Sequence, residues 1–277
     1  MLITSTHNPR VSKLQDLYTT RGRKKSGLFL IEGLHLLEAL LHAGIVPQEV
    51  YYQPGVLQRS TKGKALLEQL IHTTDLFDDQ LIEVSERVMD ALSDAQTSQG
   101  VVSVLPLALF EPSQIRAKRT PASRPVLLVL DNLADPGNMG TILRTALAAD
   151  VHEVLLTANC VDCFNPKVLR SAAGAHVALP IGTNVSWEII AERMALHCAG
   201  SPRALLAEAS SPHIYYEQDL RAPFTLIIGN EAQGPSAEAR ASATLSISIP
   251  LANSVESLNA AMATGIILYE SVRQRHE

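Results

Sequence analysis

The chain has 277 residues, of which 46% are hydrophobic and 18% are charged. This composition predicts a globular protein with a sizeable core and excludes an intrinsically disordered chain. No apolar run approaches the roughly 20 residues that a membrane-spanning helix needs. The first residues, MLITSTHNPRVSK, lack the charged-then-apolar order of a secretory signal, so a cytoplasmic protein is expected.

Positive charge is concentrated near the N-terminus. The formal net charge of −5 argues weakly against a nucleic-acid partner for the chain as a whole. The first 30 residues nevertheless carry a local charge of +5, with Asp16 set against Arg10, Lys13, Arg21, Arg23, Lys24 and Lys25. A basic patch on an acidic chain is typical of a protein that binds RNA at one place. A solvated loop is the alternative interpretation of residues 21–25.

The three cysteines are Cys160, Cys163 and Cys198. Cys160 and Cys163 have the spacing of a redox or zinc pair. A structural zinc site needs about four ligands, and the sequence offers no second pair. We therefore expect inert thiols and no metal.

The first part of the chain alternates helical and strand patterns. Helical apolar spacing predicts helices at 34–43 and 65–71. Short apolar runs predict strands at 50–52, 81–84 and 101–105. The pattern predicts a smaller α/β domain over residues 1–105. Residues 106–124 mix four basic residues with several prolines and predict a semi-rigid linker.

The second part, residues 125–277, predicts a larger α/β domain. Six apolar runs are separated mostly by helical patterns, and they lie at 126–130, 153–156, 176–180, 204–207, 224–229 and 245–250. Strands that alternate with helices favour a mostly parallel sheet with helices on both faces.

Three motifs in this second part carry the candidate chemistry. In the first, the run at 126–130 ends in the turn 135–138 and enters a helix that carries Arg144. The second is IIGNEAQG at 227–234, and the third runs from Ile249 to Asn259. In the third, we expect Asn253 to cap the final helix, which places Ser257 and Asn259 in its first turns. Open α/β sheets bind ligands at the carboxyl ends of their strands, where such groups would gather.

In this order, the three motifs resemble the signature motifs of the SpoU (TrmH-like) family. Members of that family are S-adenosylmethionine-dependent RNA ribose 2′-O-methyltransferases of the SPOUT class. The first part is similar to the substrate-binding domain that many members carry, in blocks at 8–13, 27–33, 92–94 and 97–101, and a further matching block lies at 165–175. The resemblance therefore covers nearly the whole chain. It implies a trefoil knot in the C-terminal sheet and a homodimer. The separate N-terminal domain and its basic segment favour a structured RNA as the substrate, and the lack of a long apolar run predicts no membrane partner.

The resemblance also assigns residues to roles. The catalytic set that it implies is Arg144, Asn138, Glu231, Ser257 and Asn259. The cofactor, S-adenosyl-L-methionine, would bind at Gly229, Asn230, Ile249, Leu251 and Leu258 and would leave as S-adenosyl-L-homocysteine. The basic segment adds RNA-binding candidates at Arg21, Arg23, Lys24 and Lys25. Two roles stay open for Arg144, which could act as a base or bind phosphate and stabilise the developing alkoxide. Asn138 could hydrogen-bond either Arg144 or the ribose.

Several functions compete at this stage. The leading hypothesis is ribose 2′-O-methylation of ribosomal RNA. The alternatives are a transfer-RNA methyltransferase of the same class and a catalytically inactive RNA-binding or ribosome-assembly factor. A nicotinamide oxidoreductase shares the general α/β pattern, but the sequence has no Gly-x-Gly-x-x-Gly after a strand and no P-loop. The nucleotide that is modified cannot be named from the sequence.

Overall fold

The computed structural model describes residues 2–72, 80–94, 97–119, 124–197 and 203–276. Cys198 and Pro121 lie outside these ranges. The chain divides into two units, one formed by Met1–Phe110 with Phe164–Val177 and the other by Glu111–Cys163 with Ala178–Glu277. Within the described residues, no helix combines the length and the apolar character that spanning a bilayer requires.

The first unit is built on a five-stranded mixed sheet. Its strands are β1 (Leu2–Ile3), β2 (Leu28–Glu32), β3 (Glu49–Tyr52), β4 (Leu81–Val84) and β5 (Val101–Pro106). They lie in the order β1-β4-β3-β5-β2, and β5 runs antiparallel to both of its neighbours. The helices of this unit are α1 (Pro9–Asp16), α2 (Thr20–Ser26), α3 (Leu34–His42), α4 (Pro54–Leu57), α5 (Thr61–His72), α6 (Glu86–Leu92) and α9 (Pro166–Ala172).

Period-two alternation gives this sheet a hydrophobic cluster on each face. Phe29 and Ile31 of β2 belong to one cluster, whereas Leu30 belongs to the other. On β3, Val50 and Tyr51 divide in the same way. Successive side chains of a strand point to opposite faces, so each strand contributes to both cores.

The second unit is built on a six-stranded sheet in which every neighbouring pair of strands is parallel. Its strands are β6 (Val126–Leu130), β7 (Glu153–Leu156), β8 (Ile181–Gly182), β9 (Ala204–Ala207), β10 (Phe224–Ile228) and β11 (Leu245–Ile247), in the order β11-β9-β10-β6-β7-β8. Its helices are α7 (Pro112–Arg116), α8 (Pro136–Ala148), α10 (Trp187–His197), α11 (Ala237–Ser242) and α12 (Ala260–His276).

The central strands of this sheet, β6 and β10, are buried along their whole length. Residues that are apolar at every position suit a strand that is covered by helices on both faces. From β6 the chain adds β7 and β8 on one side, whereas β10 and β9 lie on the other. The order of the strands therefore reverses between β6 and β10, and such a switch point is where open α/β sheets hold ligands.

The predicted elements match the structure closely at most strands and differ at two places. Residues 176–180, predicted as a strand, form a 3-10 turn at Ala175–Val177 that precedes β8. Ala173 and Gly174 have φ angles of 48° and 88°, which end α9 and turn the chain before a strand can form. The predicted strand at 245–250 ends at Ile247.

The two units divide the chain differently from the predicted boundaries at 105 and 125. Where composition predicts a linker, the structure has a 3-10 turn at Leu107–Phe110 and the helix α7, whose Ile115 is buried. Residues 164–177 belong to the first unit, in which the ring of Phe164 lies 4.8 Å from that of Phe29. A contact between residues so far apart in sequence leaves no signal in composition.

Candidate active site

The first motif begins with a buried carboxylate at the end of β6. Asp131 follows β6 and is 1% exposed. Its Oδ2 accepts a hydrogen bond from the backbone N–H of Ser236 at 2.7 Å, and its Oδ1 accepts one from the side-chain amide of Asn132 at 3.1 Å. Asp131 therefore ties the loop after β6 to the loop after β10. Asp131 is not among the predicted site residues, although a carboxylate directly after a wholly apolar strand is a signal that could have identified it.

The helix α8 then places Asn138 in its first turn. Asp135 is the N-cap, and its Oδ1 accepts the backbone N–H of Asn138 at 2.7 Å. Pro136 occupies the first helical position, where a missing N–H removes no hydrogen bond from the helix. The start of α8 is therefore set by local chemistry, as the turn at 135–138 predicts.

The three motifs meet through a chain of side-chain hydrogen bonds. The Nδ2 of Asn138 donates to Oε1 of Glu231 at 2.7 Å. The Oδ1 of Asn138 accepts from Nδ2 of Asn259 at 2.8 Å. Asn138 thus uses both ends of its amide, and these bonds fix its orientation. The structure thus brings together three of the predicted catalytic residues, Asn138, Glu231 and Asn259, one from each motif.

The second motif is a loop that closes on itself. Oδ1 of Asn230 accepts the backbone N–H groups of Ala232 and Gln233, both at 2.9 Å, and its Nδ2 donates to the carbonyl of Asn132 at 2.7 Å. A Cβ on Gly229 would lie 2.6 Å from the backbone nitrogen of Pro235. Glycine is therefore required at 229 by the loop's own backbone, and not only by close approach of a ligand.

The third motif differs from its prediction. Asn253 and Ser254 have φ angles of 55° and 56°, so this segment is a left-handed turn and Asn253 does not cap a helix. The helix α12 begins at Ala260, and Oδ1 of Asn259 accepts the N–H of Ala261 at 2.9 Å. Asn259 is thus the capping residue, and Ser257 lies in the loop before the helix. Because either asparagine has the chemistry of a cap, sequence alone could not choose between them.

A cavity of about 690 Å³ lies at the carboxyl ends of β9, β10 and β11. Its lining includes all five predicted cofactor residues, which are Gly229, Asn230, Ile249, Leu251 and Leu258. Glu231 and Ser257 of the predicted catalytic set also line it. Ala207, the last residue of β9, and residues 208–210 after it line the cavity as well. They were not predicted, because a short loop after an apolar strand carries no motif.

The lining suits a ligand with an apolar body and a few polar groups. Ile228, Ile247 and Val255 add apolar wall. The backbone N–H groups of Ile249 and Leu258 have no hydrogen-bond acceptor within the described part of the chain, so they can donate to a bound molecule. Glu208 and Arg240 form an ion pair at the same cavity. This volume and donor set fit S-adenosylmethionine, since ligand pockets typically measure about 300–1,000 Å³.

Arg144 is not part of the hydrogen-bonded chain. It lies on α8, six residues after Asn138 and about 9 Å farther along the axis. Its side chain is exposed, on the same stripe of the helix as the exposed Thr141 and Ala148. Within the described residues it makes no hydrogen bond or ion pair. Of the two contacts left open for Asn138, the one with Arg144 is not formed in the described structure, where Asn138 binds Glu231 and Asn259.

Comparison with known proteins matches both parts of the chain to models of known domains. A model of the SpoU rRNA methylase family matches residues 125–269, and one of the MRM3-like substrate-binding domain matches residues 8–103. An uncharacterized tRNA/rRNA methyltransferase of Synechocystis sp. is 36% identical over 274 residues, which cover 99% of this chain and 94% of that relative. This chain belongs to the SpoU rRNA methylase family.

The chain is also similar to a SpoU-family enzyme with a named reaction and to one with a solved structure. The 23S rRNA (guanosine(2553)-2'-O)-methyltransferase RlmP of Bacillus subtilis is 32% identical over 96% of this chain and 97% of its own length. The SpoU methyltransferase AviRb from Streptomyces viridochromogenes, solved with the cofactor AdoMet, is 27% identical with a TM-score of 0.80 and covers 97% of this chain and 99% of its own. The predicted family and the predicted parallel α/β fold are confirmed.

The basic segment of this SpoU-family chain is a helix and not a loop. Arg21, Lys24 and Lys25 are exposed on α2. Arg23 is 1% exposed, and its Nη1 donates to the carbonyl of Leu17 at 2.8 Å while its Nη2 donates to Oγ1 of Thr20 at 3.1 Å. The expectation that Arg23 binds RNA is therefore corrected. The helix turns this side chain inward, where it satisfies backbone and hydroxyl acceptors.

Cys160 lies near the first motif, whereas Cys198 lies outside the described residues. Sγ of Cys160 donates to the carbonyl of Leu130 at 3.1 Å, and burial raises the pKa of its thiol. Cys163 is also buried. The described residues contain no group of three or more His, Cys, Asp or Glu side chains that could hold a metal ion. A raised thiol pKa disfavours the reactive thiolate at Cys160.

Proposed function

We propose that this protein transfers a methyl group from S-adenosylmethionine to a ribose 2′-hydroxyl of ribosomal RNA and releases S-adenosylhomocysteine. One observation carries the proposal. The cavity that fits the cofactor is lined by Glu231, and the carboxylate of Glu231 is hydrogen-bonded to Asn138 of the first motif. A polar network from all three motifs therefore stands at the cavity where the methyl group would be presented.

The cofactor supplies an electrophilic methyl group on a sulfonium centre. In this proposal Gly229, Ile249 and Leu258 hold it through backbone groups, and Leu251 contributes apolar contact. Asn230 shapes the loop through its hydrogen bonds to Ala232 and Gln233. Binding of this kind positions the methyl group, and positioning supplies a large part of the rate in an in-line displacement.

The polar groups of the site act on the acceptor ribose. The Oε1 atom of Glu231 is used by Asn138, so Oε2 is the oxygen that can accept the hydrogen bond of a 2′-hydroxyl. Ser257 lines the cavity with a hydroxyl that can donate or accept. Asn138 holds the carboxylate in place by donating to it, and Asn259 in turn holds Asn138 by donating to its Oδ1. General acid–base groups of this kind contribute about 10²–10⁴-fold in rate when they are well placed.

Arg144 serves the acceptor through its charge. A guanidinium is permanently protonated and presents a planar fork of donors that matches phosphate. Since Arg144 is exposed and makes no ion pair within the described residues, its fork is available to a phosphate of the RNA. Of the two roles left open by sequence, we therefore propose the phosphate and alkoxide contact over the base.

We also propose that the active form is a homodimer. Met262 and Tyr269 lie seven residues apart on α12, which places their side chains along one stripe of the helix. Met262 and Tyr269 are 61% and 51% exposed. A second copy that covers this stripe would bury apolar surface that a lone helix leaves in water. Light scattering at micromolar concentration should give twice the 30.0 kDa mass of the chain, and a stable monomer would contradict this proposal.

The choice of RNA is testable directly. We expect 2′-O-methyl mapping of total RNA, with and without the gene, to lose one ribosomal position. Loss of a transfer-RNA position instead would favour the transfer-RNA alternative. Calorimetry of the whole protein with S-adenosylmethionine distinguishes the methyltransferase from a catalytically inactive assembly factor. The methyltransferase should bind the cofactor, whereas the inactive factor should not. A cytoplasmic location is part of the same proposal, and cell fractionation with an antibody to the protein tests it.

A further inference from the structure

The first unit contains a second cavity, of about 500 Å³, that the methylation chemistry does not use. It lies among α1, α2 and the strands β3 and β5. Leu14, Leu17 and Val104 give it an apolar floor, and all three are buried. The exposed Gln48 stands at its rim. Its volume lies within the range of about 300–1,000 Å³ that is typical of small-ligand sites.

Three basic side chains, Arg10, Lys13 and Lys25, line this cavity against two acidic ones, Asp16 and Glu49. Within the described residues, Nη1 of Arg10 is a buried nitrogen with no hydrogen-bond partner. A buried donor of a charged group that is left unsatisfied is unfavourable by more than a typical hydrogen bond contributes. This atom therefore points to an anionic or carbonyl oxygen that would complete its hydrogen bonding.

The remaining polar wall is arranged around a neutral tyrosine. The hydroxyl of Tyr51 donates to Oε2 of Glu49 at 2.6 Å. Burial, followed by the contact with Glu49, raises the pKa of Tyr51 well above its ordinary value, so the phenol stays protonated. One of the two acids is thus already engaged within the wall. Glu49 keeps its negative charge in this contact, and Arg10 also interacts with the Tyr51 hydroxyl. The three basic side chains of the lining therefore exceed its two acidic ones by one charge.

We propose that this cavity binds one unpaired nucleotide of the RNA substrate. Its phosphate would contact Arg10, Lys13 and Lys25, and its base would lie against the apolar floor with an edge toward the amide of Gln48. The proposal rests on the proposed function only in taking RNA as the partner. Proteins read structured RNA mostly through unpaired nucleotides, whose bases are free to enter pockets of this kind.

A cavity-filling variant gives the sharpest test. Gln48→Trp places a bulky side chain at the rim without changing charge. Gln58→Trp is the matched control, because Gln58 is exposed on the same unit but does not line the cavity. The probes are an RNA hairpin with an unpaired loop and a fully paired RNA duplex of equal charge. Affinities of the whole protein for both are measured by fluorescence anisotropy.

We expect Gln48→Trp to weaken hairpin binding about tenfold, the size of one base-stacking interaction, and to leave duplex binding unchanged. Gln58→Trp should alter neither. Equal weakening on hairpin and duplex, or no weakening on either, overturns the proposal. Binding of guanosine 5′-monophosphate, measured in the same variants, tests whether the cavity binds a free nucleotide and not a nucleotide of the RNA. If it binds tightly and Gln48→Trp blocks it while hairpin affinity is unchanged, the proposal is also overturned.

The charges are tested with a second pair of variants. Lys13→Ala with Lys25→Ala should reduce the slope of log affinity against log salt for the hairpin by about 0.7 for each phosphate that is no longer neutralised. Lys64→Ala with Lys118→Ala removes the same charge from exposed positions outside the cavity and should leave the slope unchanged. A slope that falls equally in both pairs would overturn the proposal. Failure of the wild-type protein to methylate any RNA would sink the proposed function but not this inference.

Discussion

The cofactor cavity of the second unit and the cavity of the first unit have comparable volumes, about 690 and 500 Å³, but different groups line them. The one in the second unit is shaped by turns of the backbone at residues 229–235 and 249–258, with one ion pair at its edge. The cavity in the first unit is lined by charged side chains over an apolar floor. A site made of backbone is sensitive to any added side chain. A site made of charges is sensitive to salt, because screening acts on exposed cations.

The same contrast recurs along a single helix, α8. Asn138 is held at both ends of its amide by Glu231 and Asn259. Arg144 is exposed and has no partner within the described residues. The side chain of Asn138 is therefore held in one orientation before a ligand binds, whereas the guanidinium of Arg144 can bind a ligand directly. Variants of the backbone-shaped cofactor cavity should therefore lose cofactor affinity, whereas variants of the exposed basic residues should change RNA binding or the rate of methylation.

The largest expected effect is at Gly229. Gly229→Val should abolish binding of S-adenosylmethionine, with a reduction of at least about 100-fold in affinity, because its Cβ would overlap the backbone of Pro235 and displace the loop. Calorimetry of the whole protein measures this. Ala232→Val, in an exposed part of the same loop, is the control and should bind nearly normally. Wild-type affinity in Gly229→Val would show that the loop tolerates displacement.

Next in size is the removal of Arg144. We expect Arg144→Ala to reduce single-turnover methylation by about 10²–10³-fold, the effect of deleting a charge-stabilising contact in a catalytic site. Cofactor affinity should stay within a few fold, because Arg144 does not line the cofactor cavity. Arg144→Lys should also fail, since a point charge does not replace a planar fork. Near-normal rates for the alanine variant would remove Arg144 from the mechanism.

A smaller effect is expected at the exposed basic face of α2. Neutralising Arg21, Lys24 and Lys25 to Gln should lower the salt slope of RNA binding by about 2–3. The rate on saturating RNA should be largely intact. Neutralising Arg59, Lys64 and Lys118 removes the same charge elsewhere and serves as the control. If RNA affinity and slope were unchanged in the α2 variant, the segment would be only a solvated helix.

Arg23 should behave oppositely to its neighbours. Arg23→Leu should lower the free energy of unfolding by about 1–3 kcal/mol, because the buried carbonyl of Leu17 loses its charged donor. Urea denaturation measures this, with the exposed Arg21→Leu as the control that should stay within about 0.5 kcal/mol of wild type. The salt slope of RNA binding should not change in Arg23→Leu. Unchanged stability together with a reduced slope would restore Arg23 to the RNA-binding set.

Strands were the most predictable part of the fold. The wholly apolar runs at Val126–Leu130 and Ala204–Ala207 have the predicted bounds, because burial on both faces of a parallel sheet demands apolar residues at every position. The start of α12 was less predictable. Asn253 and Asn259 both have capping chemistry, and only the left-handed backbone at 253–254 shows which of them begins the helix.

The sequence by itself determined the family and the parallel α/β architecture, because these depend on ordered motifs and on local periodicity. The motifs also indicated the loops at 227–234 and 249–258 that line the larger cavity, but not residues 207–210, which carry no motif. The trefoil knot stays a prediction, since periodicity carries no information about threading. Tertiary structure alone decided that Asn138 meets Glu231 and Asn259, that Asp131 joins two loops and that Arg23 faces the core. These contacts join residues distant in sequence or turn one side of a helix inward. They are therefore fixed by packing and not by any short segment of the chain.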